Sequence, residues 1–187
     1  MKVAKTEIEG LLIIEPDVFG DDRGFFVETY NKERYIKNGI DVEFVQDNLS
    51  KSVKGVLRGL HFQKTPFAQG KLVQVINGSV LDVAVDIRYD SKTFGEWVSV
   101  KLSEENKKQF WIPEGFAHGF VALEDNTIFS YKCTNLYNKE SEGTIMWNDK
   151  DLNIDWQLEE YRIGEPIISD KDSKNTNFYN IKDIFVK

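Results

Sequence analysis

The chain contains 187 residues, 41% of them hydrophobic and 29% charged, which is the balance of a globular protein, and one domain spanning residues 1–187 is expected. Its net charge of −7 argues against general nucleic-acid binding, and no run of about 18 apolar residues predicts a membrane span. The start, MKVAKTEIEG, lacks the apolar stretch of a secretory signal, and the single cysteine, Cys133, cannot form an intrachain disulfide, so a reducing cytoplasm is the expected location.

The first forty residues contain two strand-like pieces and one short helix. The pieces IEGLLIIEP and GFFVETY are rich in the branched and aromatic residues that favour strands. The segment KERYIKN predicts a helix with Asn31 as its N-cap and Gly39 just past its end, because these residue types supply the cap bond and the left-handed exit.

The middle of the chain is predicted to form paired strands. In SVLDVAVDIR, apolar residues alternate with Asp82, Ala84 and Asp86, which is the period of a half-buried strand. KLVQVI precedes it, and the Asn77-Gly78 pair between them predicts a β-hairpin, because this dipeptide suits a two-residue hairpin turn.

The second half of the chain continues the strand pattern. WVSVKL and IFSYKC are predicted strands, and SEENKKQ is a candidate helix with Ser103 as its cap. The polar segment from Ile167 onward resembles a closing segment rather than a second core. Together these elements predict a mainly β fold, an antiparallel jelly-roll barrel with a few short peripheral helices and an open mouth that serves as a pocket.

The stretch RGLHFQ raises the question of what Arg58 and His61 do in a strand. The ligand count argues against a metal site, although PEGFAHGF has the Pro-x-Gly-x-x-His spacing of the second metal-binding cupin motif. The first motif needs His-x-His, and Gln63 stands where its second histidine would be. Two histidines in the whole chain cannot form a three-histidine site, and no spaced acidic loop suggests an oxygen-only site, so we predict no metal.

A proton-transfer site fits the residue types better. Histidine is the usual general base near neutral pH, a strand tyrosine can act as an acid, and a lysine can hold a developing oxyanion, so His61, Tyr131 and Lys71 are candidates. Each of these residues also has a structural interpretation, as a satisfied strand histidine, a core tyrosine and a surface lysine. The residues alone therefore leave both interpretations open.

Seven ordered segments together resemble the dTDP-4-dehydrorhamnose 3,5-epimerases of the cupin superfamily. They run from about residue 15 to 172 and are VFGDDRGFFVETYN, VEFVQDNLSKSVKGVLRGLHFQ, QGKLVQVINGSVLDVAVDIR, SKTFGEWVSVKLS, WIPEGFAHGF, YKCTNLYNKESEGTIMWND and ISDKD. The resemblance implies a cupin-like barrel that inverts C3 and C5 of dTDP-4-dehydro-6-deoxy-D-glucose in dTDP-L-rhamnose biosynthesis. It implies no cofactor, because the substrate's own C4 ketone stores the charge.

The resemblance also implies a role for individual residues. His61 would be the base, Asp172 its orienting carboxylate, Tyr131 the acid and Lys71 the group that holds the enolate oxygen, with Asp82 as a second candidate partner of His61. Tyr137 would stack on the thymine ring. The positions that match substrate-binding residues are Arg23, Phe26, Glu28, Gln46, Asn48, Arg58, His118, Tyr137, Glu142 and Lys171.

The family resemblance further implies a homodimer with exchanged N-terminal strands. IEGLLIIEP would supply such a strand, and GFFVETY would place Arg23 and Phe26 near the partner's pocket. Three alternatives stay open from sequence. They are an epimerase that inverts only one carbon of a related dTDP-4-keto-6-deoxy sugar, a non-catalytic cupin that binds a nucleotide sugar, and a metal-dependent cupin oxygenase.

Overall fold

The computed structural model describes residues 1–181, and its regular structure consists mainly of antiparallel strands. The strands are β1 (Lys2–Lys5), β2 (Leu12–Glu15), β3 (Val18–Asp21), β4 (Gly24–Val27), β5 (Gln46–Ser52), β6 (Leu57–Gln63), β7 (Lys71–Asn77), β8 (Ser79–Asp86), β9 (Trp97–Ser103), β10 (Gln109–Ile112), β11 (Phe116–Ala122), β12 (Thr127–Cys133) and β13 (Glu142–Thr144). Helical pieces are α1 (Lys32–Lys37) and 3₁₀ turns at Lys139–Ser141, Asp172–Lys174 and Phe178–Ile181.

All described strands except β3 and β4 form two sheets that face each other across a core. One sheet has six strands in the order β1-β2-β10-β7-β12-β5, and the other has five in the order β13-β6-β11-β8-β9. Buried residues from both sheets pack between them, including Val73, Phe110 and Phe129 from the first and Val80 and Phe120 from the second. This arrangement confirms the predicted fold class, a mainly β antiparallel jelly roll with short peripheral helices.

The five-stranded sheet is covered on its outer face as well. Leu152, Trp156 and Ile163 from the C-terminal part of the chain pack there against Leu81 and Val83 of β8. Because both faces are covered, every residue of β8 is buried, and the prediction of a half-buried strand was wrong.

The two aspartates of β8 are buried with hydrogen-bond partners. Burial alone would raise the pKa of Asp86, but hydrogen bonds from Arg88, Ser91 and Thr93 outweigh it and lower that pKa to about 2. Asp82 bonds to His118 inside the fold. The alternating acids in this segment are thus paired interior groups and not a solvated face.

The Asn77-Gly78 pair does not form a hairpin, so that prediction was wrong. β7 belongs to the six-stranded sheet and β8 to the five-stranded sheet, so the two strands pair with other partners. Gly78 does adopt the positive φ, +76°, that the dipeptide favours, and a Cβ there would lie 2.6 Å from the Thr127 hydroxyl. The prediction of a turn at this dipeptide was therefore correct, but the turn connects strands of two different sheets instead of two paired strands.

The two helix predictions had different outcomes. α1 begins after Asn31, whose side chain accepts a hydrogen bond from the Arg34 backbone, as predicted. SEENKKQ forms no helix, which corrects the second prediction. Ser103 does cap the Asn106 backbone N–H, but Lys107 turns to a φ of +54° and β10 begins at Gln109, so the turn ends before a helix can form.

The N-terminal pieces behave in two ways. The strand predicted within IEGLLIIEP is β2, which pairs with β1 and with β10 of the same chain. The strand predicted within GFFVETY is β4, which forms a two-stranded hairpin with β3 outside the two main sheets. Residues 182–187 lie outside the described part, and within residues 1–181 no helix is long and apolar enough to cross a membrane.

Candidate active site

A cavity of about 550 Å³ opens between the two sheets. β5, β7 and β12 of the six-stranded sheet form one wall, and β6 and β11 of the five-stranded sheet form the other. Residues that follow these strands close one end. The lining residues are Gln46, Asn48, Ser50, Arg58, His61, Phe62, Gln63, Gln69, Lys71, His118, Phe120, Tyr131, Tyr137, Glu142, Ser169, Lys171 and Asp172. The size suits a small-molecule ligand.

A β-bulge explains how Arg58 and His61 share this cavity. Residues three apart on a regular strand face opposite sides. Here His118 pairs with His61 and Phe120 pairs with Arg58, so Gly59 and Leu60 of β6 together lie opposite the single residue Gly119. The extra residue restores the alternation, and both side chains line the cavity.

Two glycines allow the strands to approach closely at the bulge. Gly59 has a φ of +130°, which side-chain-bearing residues rarely adopt. A Cβ on Gly59 would lie 2.5 Å from the Gly119 Cα, and a Cβ on Gly119 would lie 2.7 Å from the Arg58 carbonyl oxygen. Neither position can carry a side chain without moving the backbone that supports His61.

His61 lies between two carboxylates. Its Nε2 is 3.1 Å from Asp172 Oδ1, and its Nδ1 is 3.6 Å from Glu142 Oε1. Burial works to raise the pKa of Asp172, but contacts with His61, Ser169 and Asn175 outweigh it and hold that pKa below its usual value. An ionised carboxylate beside an imidazole is the arrangement in which histidines act as general bases in enzymes.

Glu142 links this histidine to the mouth of the cavity. Its carboxylate accepts hydrogen bonds from Lys171, at 2.6 Å, and from the Tyr137 hydroxyl, at 3.1 Å. Burial acts to raise the pKa of Glu142, and the Lys171 ammonium outweighs it and lowers that pKa. Glu142 is therefore a second negative charge near the imidazole.

Lys71 and Tyr131 occupy the opposite wall, on neighbouring strands of the six-stranded sheet. Burial lowers the pKa of the Lys71 ammonium, while the carboxylates Asp82 and Glu142 act against that shift. Burial also raises the pKa of the Tyr131 hydroxyl, so Tyr131 keeps its proton at neutral pH. A protonated phenol and the imidazole of His61 thus lie on walls formed by different sheets.

His118 and Asp82 form a separate pair beneath the cavity. His118 Nε2 lies 2.9 Å and 3.0 Å from the two Asp82 oxygens, and the Asp82 side chain is fully buried. Burial lowers the pKa of His118 even though the Asp82 charge acts to raise it. The expectation that Asp82 partners His61 was therefore wrong: the alternation of β8 places Asp82 on the inner face, but the nearer histidine there is the one on β11.

Three of the predicted substrate-binding residues lie outside this cavity in their own chain. Arg23 and Phe26 are on the exposed β3–β4 hairpin, where Arg23 pairs with Asp21 at 2.6 Å. Glu28 follows the hairpin and lies 3.4 Å from Arg34. The remaining predicted residues, Gln46, Asn48, Arg58, His118, Tyr137, Glu142 and Lys171, line the cavity together with His61, Lys71, Tyr131 and Asp172.

The sequence did not single out several polar lining residues. Ser50, Gln69 and Ser169 line the cavity without belonging to any recognisable spacing. Gln63, in the position of the missing metal ligand, instead hydrogen-bonds the backbone at Phe67, at 2.6 Å, and two further backbone groups. Within residues 1–181, no group of three or more His, Cys, Asp or Glu residues is placed to hold a metal ion.

Comparison with known proteins identifies the family of this chain. Residues 5–180 match the family model for dTDP-4-dehydrorhamnose 3,5-epimerase. The dTDP-4-dehydrorhamnose 3,5-epimerase of Shigella flexneri is 56% identical over 95% of this chain and 96% of its own length.

Two solved structures are similar in both sequence and fold. One is dTDP-4-dehydrorhamnose 3,5-epimerase from Elizabethkingia anophelis NUHP1, with a TM-score of 0.89 and 52% identity over 96% of this chain and 97% of the other. The other is dTDP-6-deoxy-D-glucose-3,5-epimerase from Legionella pneumophila Philadelphia 1 in complex with dTDP-4-keto-L-rhamnose, with a TM-score of 0.90 and 51% identity over 96% and 94%. This chain therefore belongs to the dTDP-4-dehydrorhamnose 3,5-epimerase family.

Proposed function

We propose that this protein inverts C3 and C5 of dTDP-4-dehydro-6-deoxy-D-glucose to give dTDP-4-dehydro-L-rhamnose, as a step of dTDP-L-rhamnose biosynthesis. The observation that carries the proposal is the meeting of the His61–Asp172 pair and Tyr131 in one cavity, in a chain of this family. The buried free thiol of Cys133 fits a reducing compartment, and the cytoplasm is the proposed location.

The first step is removal of a proton next to the C4 ketone. His61 takes the proton from C3 or C5, and the electrons of the broken C–H bond form a C=C bond while the carbonyl electrons move to oxygen. Asp172 and Glu142, on opposite sides of the ring, stabilise the imidazolium that results. The Lys71 ammonium is the group proposed to face the enolate oxygen, where its charge counts most because the cavity wall excludes water.

The second step returns a proton to the other face of the sugar. Tyr131 donates its phenolic proton to the enolate carbon, which re-forms the C–H bond with inverted configuration and restores the ketone. Proton exchange with solvent then resets His61 and the tyrosinate for the second carbon. The reaction moves only protons, so the scheme as written needs no redox cofactor and no metal.

The nucleotide half of the substrate needs cations and a flat surface. Arg58 and Lys171 line the cavity and are proposed to bind the diphosphate, where the guanidinium fork of Arg58 suits phosphate oxygens. Tyr137, which is 55% exposed at the mouth, is proposed to stack on the thymine ring. Gln46, Asn48 and His118 supply further polar contacts from the two walls.

The test is incubation of the protein with the 4-keto sugar nucleotide in D₂O, followed by carbon-resolved NMR. We expect deuterium at both C3 and C5 of the product, because each inversion replaces a carbon-bound proton with one that has exchanged with solvent. Exchange at one carbon only would instead identify a single-carbon epimerase. Tight dTDP binding without any exchange would identify a non-catalytic nucleotide-sugar-binding protein.

We further propose a homodimer in which the β3–β4 hairpin completes the partner's cavity. The hairpin exposes Phe19, Phe25 and Phe26, each more than half accessible, and the Arg23 side chain is 89% exposed. Phe19 and Phe26 lie opposite each other in the hairpin, and paired exposed aromatic side chains of this kind are typical of an interaction surface. β5 lies at the edge of the six-stranded sheet with Leu49 69% exposed, which offers a place for a second copy to dock.

Complementation between two inactive variants checks this arrangement. If Arg23 acts in the partner's cavity, co-expressed Arg23→Ala and His61→Asn chains form mixed dimers with one intact site. Random pairing predicts about a quarter of wild-type activity at low substrate concentration, far above either variant alone. Activity equal to the average of the separate variants would show that Arg23 and His61 act within the same subunit.

A further inference from the structure

The loop of residues 135–138, which carries Tyr137, is held by the side chains of three glutamines. Gln69 Nε2 donates to the Asn135 carbonyl at 2.7 Å, and Gln63 Nε2 donates to the Leu136 carbonyl at 3.2 Å. The Tyr137 backbone N–H donates to Gln46 Oε1 at 2.9 Å, and the Asn138 N–H donates to Gln63 Oε1 at 2.7 Å. Four consecutive residues are thus fixed through their backbone groups.

The three glutamines reach the loop from separate parts of the fold. Gln46 begins β5, Gln63 ends β6 and Gln69 lies just before β7. Gln63 also donates to the Phe67 carbonyl at 2.6 Å, so it connects the loop with the segment that leads to β7. β6 is the strand that carries His61, and the loop is therefore anchored to the same strand as the base.

A glutamine is chemically suited to this task because one amide offers both donors and an acceptor. Gln63 uses both donors and the acceptor of its amide at once. Because only 9% of its surface is exposed, water could not easily replace these bonds if the amide were removed. Bonds to backbone atoms fix the path of the loop whatever its side chains are. A loop that is already ordered loses less conformational entropy when a ligand stacks on it.

We propose that Gln63 and Gln69 are positioning residues that hold the 135–138 loop as a preformed platform for the nucleobase. They then determine affinity for the nucleotide half of the substrate and leave the proton transfers at the sugar unchanged. Neither residue was among those that the family resemblance marks as substrate-binding. The inference rests on the proposed function for its ligand, but the order of the loop is testable without any ligand.

The first experiment is amide hydrogen exchange on the ligand-free protein. Gln63→Met and Gln69→Met keep an unbranched side chain of similar length but remove the amide. Gln157→Met is the matched control, because Gln157 lies away from this cavity. We expect exchange at Tyr137 and Asn138 to be about tenfold faster in Gln63→Met and about threefold faster in Gln69→Met, which loses a single bond, and unchanged in the control. Unchanged protection in both cavity variants would overturn the proposal.

The second experiment separates binding from chemistry with the sugar nucleotide as substrate. Gln63→Met should raise KM about tenfold while kcat stays within about twofold, because the lost bonds order the loop before binding. In a Tyr137→Ala background the same change should raise KM by less than about twofold, because the platform is already lost. A fall in kcat at constant KM, or an undiminished KM effect without Tyr137, would overturn the proposal.

The two experiments also distinguish failure of this inference from failure of the proposed function. If the wild-type protein exchanges no sugar protons, the proposed reaction is wrong, and the hydrogen-exchange result together with the affinity for dTDP alone still decides the role of the glutamines. If Gln63→Met does not fold, Gln69→Met allows the same measurements, because the Gln69 side chain also bonds the loop and is less buried than that of Gln63.

Discussion

Replacing His61 by asparagine is expected to lower turnover by about a thousandfold, the typical contribution of a positioned general base. Asparagine keeps much of the shape of the imidazole but cannot accept a proton at neutral pH. Asp172, 3.1 Å away, would keep its place beside a polar side chain. The measurement is NMR of product formation and of deuterium incorporation at C3 and C5 in D₂O, both of which should disappear together.

Two properties of the His61→Asn protein should stay as they are. Its affinity for dTDP should remain within about threefold of that of the wild-type protein. Its melting temperature should stay close to the wild-type value, because a partly exposed strand residue is replaced by a smaller one. Undiminished exchange at either carbon would show that another group is the base. A large loss of dTDP affinity would show that the substitution had disturbed the cavity.

Replacing Tyr131 by phenylalanine is expected to reduce product formation about a hundredfold and to reduce proton exchange much less. The substitution removes only the hydroxyl whose pKa burial raises, and with it the proton for the opposite face of the sugar. His61 can still remove a proton and return one from solvent on the original face. Unreacted substrate should therefore gain deuterium while inverted product stays scarce.

Tyr89→Phe provides the matched control for this loss of a single oxygen. Tyr89 is 56% exposed, packs against Phe94 and does not line the cavity, so its substitution should leave both rates unchanged. Equal losses of exchange and product formation in Tyr131→Phe would mean that the hydroxyl serves proton removal instead of reprotonation. The assignment of acid and base to opposite walls would then be wrong.

Much of the fold could be predicted because local patterns agree with it. Alternating apolar residues identified β9 and β12, and the cap at Asn31 located α1. The errors arose where the pairing of a strand depends on residues far away in the sequence. The Asn77-Gly78 turn is locally suited to a hairpin, and only the pairing of β7 with β10 and β12 and of β8 with β9 and β11 shows that the two strands belong to different sheets.

The sequence predicted which reactive side chains line the cavity better than it predicted which of them contact each other. Resemblance to the family selected His61, Lys71 and Tyr131, and all three line one cavity. Alternation along β8 predicted that Asp82 points inward, but could not identify which histidine it meets. Gln63 and Gln69 were not identified as site residues because their partners at the loop are backbone atoms, which leave no signature in residue spacing.

The bulge in β6 has a consequence for engineering. The sequence order Arg58-Gly-Leu-His61 is useful only on a strand that carries one surplus residue opposite Gly119. Deleting either Gly59 or Leu60 would leave Arg58 and His61 two residues apart, so a regular strand without the bulge would keep both side chains on the cavity face. If the four-residue motif were grafted unchanged onto a regular strand of another barrel, Arg58 and His61 would point to opposite faces of that strand. A graft would therefore also need the part of β11 that contains Gly119, which allows the bulge to form.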